Sequence, residues 1–106
     1  MTKYLYALKN RLSGIYENPT CEKYDEKEYP ELLAQSLAVA PVEMLELHKE
    51  FDLYRVGTFD TKSGECQVDA PEFIMSLEGL CLQYLAVKVK SNVGRESDRN
   101  EAEVNL

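Results

Sequence analysis

Aromatic and basic side chains suited to contacting nucleic acid or a protein occur in two short segments. One reads FDLYRVGTFD from residue 51, and the other reads KYLYALKNR from residue 3. If two strands placed these segments on one sheet face, their rings could stack on single-stranded bases, each stack being worth about 1–3 kcal/mol. The candidate contact residues are Tyr54, Arg55, Phe59, Lys9 and Arg11, beside Tyr4 and Tyr6.

The same rings have a simpler structural role. Aromatic residues on short strands ordinarily form the core or cross-strand pairs, so base stacking is the less favoured interpretation. The basic residues are too few and too dispersed to predict a track for phosphates; they are Lys3, Lys9 and Arg11, with Lys62 on the other turn.

Residues able to support catalysis or metal binding are few. His48 is the single histidine, and it lacks the partner pattern that nucleophilic or metal chemistry requires. The three cysteines, Cys21, Cys66 and Cys81, include no CxxC pair, and their odd number argues against a full disulfide framework. We therefore expect no enzyme activity, no metal and no cofactor, with the cysteines as reduced, packed thiols.

The net charge of −7 lies in the first part of the chain. Residues 1–87 contain 15 acidic and 8 basic side chains, whereas residues 88–106 contain 4 of each. An acidic body repels phosphate backbones at long range and attracts basic protein surfaces. This balance disfavours nucleic-acid binding and favours a basic protein partner.

Two β-hairpins are predicted, over residues 3–21 and 51–68. In each, a turn containing glycine, Asn10 to Gly14 or Asp60 to Gly64, separates two runs of β-prone residues. The second strand of the first hairpin covers residues 15–21, with Pro19 near its end or at a sheet edge.

Helices are predicted over residues 30–49 and 70–86. The first starts at Pro30 and is interrupted at Pro41, where a second short helix begins. The later helix follows a strong start signal, Asp69-Ala-Pro-Glu72, and its apolar stripe continues to Leu85.

These elements predict a small single α+β domain over residues 1–90, followed by a disordered charged tail over residues 91–106. The two hairpins form one mainly antiparallel sheet, and the helices cover one of its faces. No apolar run is long enough to span a membrane, and no secretory signal is visible, so a cytoplasmic location is expected.

The central hairpin also carries a family resemblance. The segment DLYRVGTFDTKSGECQ, with support from YLYALKNRLSG near the N-terminus, resembles the small nonstructural proteins of gokushovirus-type microviruses, which are single-stranded DNA phages. The residues that carry the resemblance, which covers about residues 3 to 80, are Phe51, Leu53, Tyr54, Arg55, Gly57, Phe59, Asp60 and Gly64. The chain departs from the usual short form in its extension after Tyr84.

The resemblance implies a nonvirion accessory protein that acts in the host cytoplasm, in single-stranded DNA synthesis or in the switch to packaging. It supplies no catalytic residues. The leading hypothesis is therefore protein–protein binding, with a viral or host replication protein as the partner. The alternatives are direct binding of single-stranded DNA and inhibition of a host enzyme, and the oligomeric state is left open.

Overall fold

A computed structural model describes residues 1–88 of the 106-residue chain. It confirms the α+β class, and the predicted tail over residues 91–106 lies outside the described residues. The elements in chain order are β1 (Thr2–Asn10), β2 (Thr20–Glu22), α1 (Glu28–Ala38), α2 (Val42–His48), β3 (Phe51–Asp60), β4 (Cys66–Ser76) and α3, which is helical from 78 to 88.

The four strands form one antiparallel sheet in the order β2-β1-β3-β4. Both predicted hairpins therefore belong to the same sheet, which confirms that prediction. Strand β1 pairs with β3 along its whole length, from Thr2 opposite Asp60 to Asn10 opposite Phe51. Strand β2 is shorter than the predicted 15–21 because it begins only after Pro19, which has no N–H to donate.

The two hairpin turns share one hydrogen-bond pattern. In the first, the amide of Gly14 donates to the carbonyl of Asn10 at 2.8 Å, and in the second the amide of Gly64 donates to the carbonyl of Asp60 at 2.8 Å. The Asn10 and Asp60 side chains also accept backbone amides two residues later. The φ angles of Gly14 and Gly64 are +73° and +76°, which confirms the predicted role of glycine in these turns.

The prediction of a helix from residue 70 is wrong, because residues 66–76 form strand β4. Long-range pairing with β3 overrides the local helix-start signal, and the helix begins only at residue 78. Pro71 is tolerated because β4 is an edge strand and residues 69–71 form a bulge opposite Val56. The apolar stripe was correctly assigned from Leu77 onward, since Leu77, Cys81 and Leu85 are buried.

Helix α1 begins at Glu28, two residues before the predicted start. The Asp25 carboxylate accepts the backbone amides of Lys27 and Glu28, each at 2.9 Å, and so satisfies donors that a helix start leaves without partners. Pro30 then lies in the first turn, where its missing donor costs no hydrogen bond. The predicted interruption at Pro41 is confirmed, since Pro41 immediately precedes α2.

The helices cover one face of the sheet, as predicted. Leu8 of β1 and Met75 of β4 pack from that face against the main core. The ring of Tyr6 stacks on Tyr29 of α1 with centroids 4.4 Å apart, and its hydroxyl donates to the Tyr24 carbonyl at 2.8 Å. Burial raises the pKa of Tyr6 far above its usual value. The buried residues of the core are Leu37, Leu45, Phe51, Leu77, Cys81 and Leu85.

Gly57 of β3 lies against the backbone of β4. A Cβ atom at this position would overlap the carbonyl oxygen of Gln67 and lie 3.3 Å from Leu5 Cδ1. We expect Gly57→Ala to lower the free energy of unfolding by about 1–3 kcal/mol, measured by chemical denaturation. Gly79→Ala is the matched control, because nothing lies within 4 Å of that position in α3, and alanine should leave stability unchanged or raise it.

Gly64 offers a second test, because replacing it should destabilise the protein only through backbone conformation and not through a steric clash. Its φ of +76° is strained for residues with a Cβ, although the space around it is open. We expect Gly64→Val to lower the free energy of unfolding by more than about 1 kcal/mol. Gly64→Asn should cost less, since asparagine tolerates this conformation. Equal melting temperatures for the wild type and Gly64→Val would show that the turn does not require glycine.

Candidate interaction site on the open face of the sheet

The face of the sheet opposite the described helices is called the open face here. Side chains alternate between faces along a strand, and directly opposed residues share a face. The register therefore assigns each strand residue to one side. The open face carries Lys3, Leu5, Ala7 and Lys9 of β1, Asp52, Tyr54 and Phe59 of β3, and Cys66, Val68 and Phe73 of β4.

Three aromatic rings and one lysine form a connected group on the open face. Tyr54 packs edge-to-face against Tyr16 at 5.5 Å and against Phe73 at 5.7 Å, with interplanar angles of 74° and 77°. The Lys9 Nζ lies 5.2 Å from the Tyr16 ring centroid and 5.6 Å from that of Tyr54. We call Tyr16, Tyr54 and Phe73 the aromatic row.

Strand pairing brings the aromatic row together. Phe73 lies directly opposite Tyr54 in the β3–β4 register, and Ala7, a small residue, lies on the other side of Tyr54. Tyr16 reaches the row through an isolated bridge with Lys9. The outer rings remain open to solvent, since Tyr16 is 39% exposed and Phe73 is 55% exposed. Mutual packing thus holds a partly exposed aromatic surface in place.

The structure brings together only some of the predicted contact residues. Tyr54 and Lys9 are neighbours, and Phe59 shares their face but lies opposite Lys3, toward the other end of β1. Arg55 points to the other side of the sheet, which the helices cover and which we call the helix face. There its Nη2 lies 2.6 Å from Glu72 Oε2 and its Nε lies 3.8 Å from Glu26 Oε2. Arg55 therefore makes no part of the open face.

Tyr4 and Tyr6 also lie on the helix face. Their rings stack on each other at 6.5 Å, and Tyr6 is buried against α1. The predicted combination of Tyr4 and Tyr6 with Tyr54 on one face is therefore not formed. These two tyrosines have the structural role that their position on a short strand favoured.

Arg11 holds the end of the sheet together. Its Nη2 donates to Asp52 Oδ1 at 2.7 Å and to Ser76 Oγ at 2.8 Å, and its Nη1 lies 3.3 Å from Glu78 Oε2. The guanidinium thus joins β3, β4 and the start of α3. Its hydrogen bond lowers the pKa of Asp52 below the usual value, and Ser76 adds to this effect.

The charged strand residues are distributed unevenly between the two faces. On the open face Lys3 and Lys9 are basic, and the carboxylate of Asp52 pairs with Arg11, which also lies 3.3 Å from Glu78. Glu22 of β2 and Glu72 of β4 lie opposite Tyr4 and Arg55, which are both on the helix face. The open face is therefore locally basic although the whole chain has a net charge of −7.

Two residues of the aromatic row were missed in the sequence. The apolar spacing predicts Phe73 in the stripe of a helix, although Phe73 and Ile74 are both residue types that favour strands. Tyr16 lay in a predicted strand but had no feature that marked it as exposed. Its position depends on the bridge to Lys9, which only the fold creates.

The described residues contain no group of three His, Cys, Asp or Glu side chains placed to hold a metal ion. Cys21 and Cys66 are exposed, whereas Cys81 is buried in the core, where burial raises the pKa of its thiol. None of the helices described here is long and apolar enough to cross a membrane.

A family model described as Phage ORF5 protein matches residues 3–80, which is more than half of the chain. Comparison with curated proteins and comparison with solved structures found no match. The matched range contains the aromatic row together with Lys3 and Lys9, so the open-face site lies within the part of the chain that the family shares.

The Arg11–Asp52 pair makes a pH-dependent contribution to stability. Because the pKa of Asp52 is lowered in the folded state, its contribution is fully present above about pH 4 and is lost as pH falls through the folded pKa. Arg11→Gln should raise the pKa of Asp52 toward its usual value, which an NMR titration of the side-chain carboxyl measures. Its destabilising effect should be present at neutral pH and shrink in strong acid.

Lys62→Gln is the control for this comparison, because it removes one positive charge from the turn at the opposite end of the sheet. It should leave the Asp52 titration unchanged. An unshifted Asp52 pKa in Arg11→Gln would contradict the assignment of Arg11 as the cause.

Proposed function

We propose that this chain, which belongs to the Phage ORF5 protein family, is a non-enzymatic accessory protein that binds another protein through its open face. The observation that carries the proposal is the aromatic row, a packed and partly exposed set of rings on a sheet face that the described helices leave uncovered. Tyrosines are enriched among the residues that dominate binding energy in protein interfaces.

The geometry of the row suits a protein partner. Tyr54 is held between Tyr16 and Phe73, so little side-chain entropy is lost when the rings are covered. Val68 is 81% exposed on the same face and extends the apolar surface along β4. Aromatic anchors with apolar neighbours and few charges are typical of the centre of a protein–protein interface.

The family supports a role in phage infection. We place this role in single-stranded DNA synthesis or in the switch to packaging, in the host cytoplasm, with a viral or host replication protein as the partner. This finer assignment, including the gokushovirus-type microvirus setting, rests on the resemblance of about residues 3 to 80 to the small nonstructural proteins of those phages. It predicts that the partner is captured from infected cells and is a component of replication or packaging.

A role without catalysis is consistent with the surroundings of His48. Its Nδ1 lies 2.7 Å from the Met44 carbonyl one helical turn earlier, near the end of α2. A histidine at that end of a helix also suits the helix dipole. A local structural role thus accounts for His48 without a reaction.

Direct binding of single-stranded DNA is the second candidate, and the basic character of the open face favours it. Lys3 and Lys9 would contact phosphates while the rings stack on bases. Two features place this candidate behind protein binding. Arg55 is engaged by Glu72 on the helix face, and Tyr54 stands nearly perpendicular to both neighbouring rings, so the row does not offer successive parallel platforms.

Affinity capture from infected cells tests the proposal with a matched pair of double variants. Tyr16→Ser with Phe73→Ser removes the exposed ends of the aromatic row, and partner recovery should fall by about tenfold or more. The control, Met44→Ser with Leu47→Ser, removes apolar side chains that are 45% and 54% exposed on α2 and should retain the partner. Both variants are first checked for unchanged secondary structure by circular dichroism.

Equal recovery by the wild type and the Tyr16/Phe73 variant would overturn the proposal. A labelled oligonucleotide separates the second candidate. Binding at micromolar affinity in about 150 mM salt, lost in the same variant, would select single-stranded DNA as the ligand.

A further inference from the structure

We infer that the partner segment covering the open face is acidic: an extended peptide whose carboxylates pair with Lys9 and Lys3 while its apolar side chains pack on the aromatic row. The inference rests on the proposed function and specifies the chemistry of the partner. Net charge alone predicts the opposite, a basic partner.

Local charge decides the sign of a contact at physiological salt. The Debye length is then about 8 Å, so charges on the far side of the sheet and on the helices are largely screened from a bound segment. A segment on the open face meets Lys3 and Lys9, and the only strand carboxylate there, Asp52, already receives Arg11 at 2.7 Å. A basic segment would therefore meet two like charges and a carboxylate that already has an ion-pair partner.

Lys9 is prepared for such a contact. The ion pairs within residues 1–88 use Arg11, Lys49 and Arg55 as their cations. The Lys9 ammonium instead lies over the ring faces of Tyr16 and Tyr54. The rings restrict the lysine side chain and exclude part of its water, which strengthens a hydrogen bond to an incoming carboxylate. A partner carboxylate would add a hydrogen-bonded ion pair to the contacts that the Lys9 ammonium makes with the two rings.

The spacing of the two lysines suits an extended peptide. Lys3 and Lys9 are six residues apart on β1, which corresponds to about 20 Å along a strand. A partner segment of about seven residues in extended conformation spans the same distance. Its alternate side chains would face the sheet, so acidic residues could reach the lysines while apolar ones cover Tyr54 and Phe73.

An NMR titration of the full chain with three probes tests the inference. The first probe is a peptide of about twelve residues built on Glu-Ser-Leu-Ser-Leu-Ser-Glu, which places Glu and Leu on the same side of an extended chain. The others are a matched Lys-Leu peptide with Lys in place of each Glu, and an oligothymidylate of similar length. We expect the acidic peptide to shift the amide signals of Lys9, Tyr54 and Phe73. Lys9→Gln should weaken its binding by about fivefold or more, whereas Lys27→Gln at the start of α1 should leave it unchanged.

The other outcomes overturn the inference in distinguishable ways. Tighter binding of the Lys-Leu peptide than of the acidic peptide, or tighter binding of the acidic peptide to Lys9→Gln than to the wild type, would show that the partner is not acidic. The proposed function would still stand if Tyr16→Ser with Phe73→Ser abolishes capture. Tighter binding of oligothymidylate than of either peptide would indicate that the open face binds nucleic acid. Shifts confined to α2 and α3, or no shifts, would show that the face does not bind acidic segments.

Discussion

The pairing of β1 with β3 is the constraint on which the remaining structure depends. It joins the N-terminal strand Thr2–Asn10 to the strand Phe51–Asp60, which lies about forty residues later, and all other elements are attached to these two. Antiparallel pairing lets one sheet face be buried while the other stays solvated. The helices occupy the first face, and the aromatic row forms on the second.

Bulges decide which side chains reach each face. Val56 has no opposite residue on β1, so odd-numbered residues of β3 before it, such as Leu53 and Arg55, point to the helices, whereas Phe59 after it lies on the open face. A second register shift, between β3 and β4, places Phe73 beside Tyr54 and packs Met75 against the core. Because a one-residue change of register exchanges the faces, these irregularities create the interaction surface.

Local signals in the sequence predicted those parts of the fold that local chemistry determines. The turns at Asn10–Gly14 and Asp60–Gly64 followed from glycine and side-chain acceptors, and they formed as predicted. The prediction of a helix from residue 70 was wrong because Asp69 and Pro71 resemble a helix start. Pairing with β3, a non-local interaction, makes this segment a strand instead. The prediction of the site was partly wrong for the same reason. Tyr54 and Arg55 are adjacent in sequence but lie on opposite faces, and Phe73 and Tyr16 reach Tyr54 only through tertiary pairing.

The separation of charge follows from the same alternation and changes how the composition is interpreted. A net charge of −7 describes the average field around the chain, which governs long-range approach. Binding affinity depends on the groups within a Debye length of the contact, and on the strands of this face Lys3 and Lys9 outnumber Asp52, whose carboxylate pairs with Arg11. Arg55, the basic residue closest to the row in sequence, pairs with Glu72 on the opposite face and adds nothing to this balance. An acidic protein can therefore present a basic, aromatic binding face, because strand alternation places Lys3 and Lys9 on one side of the sheet and Glu22 and Glu72 on the other.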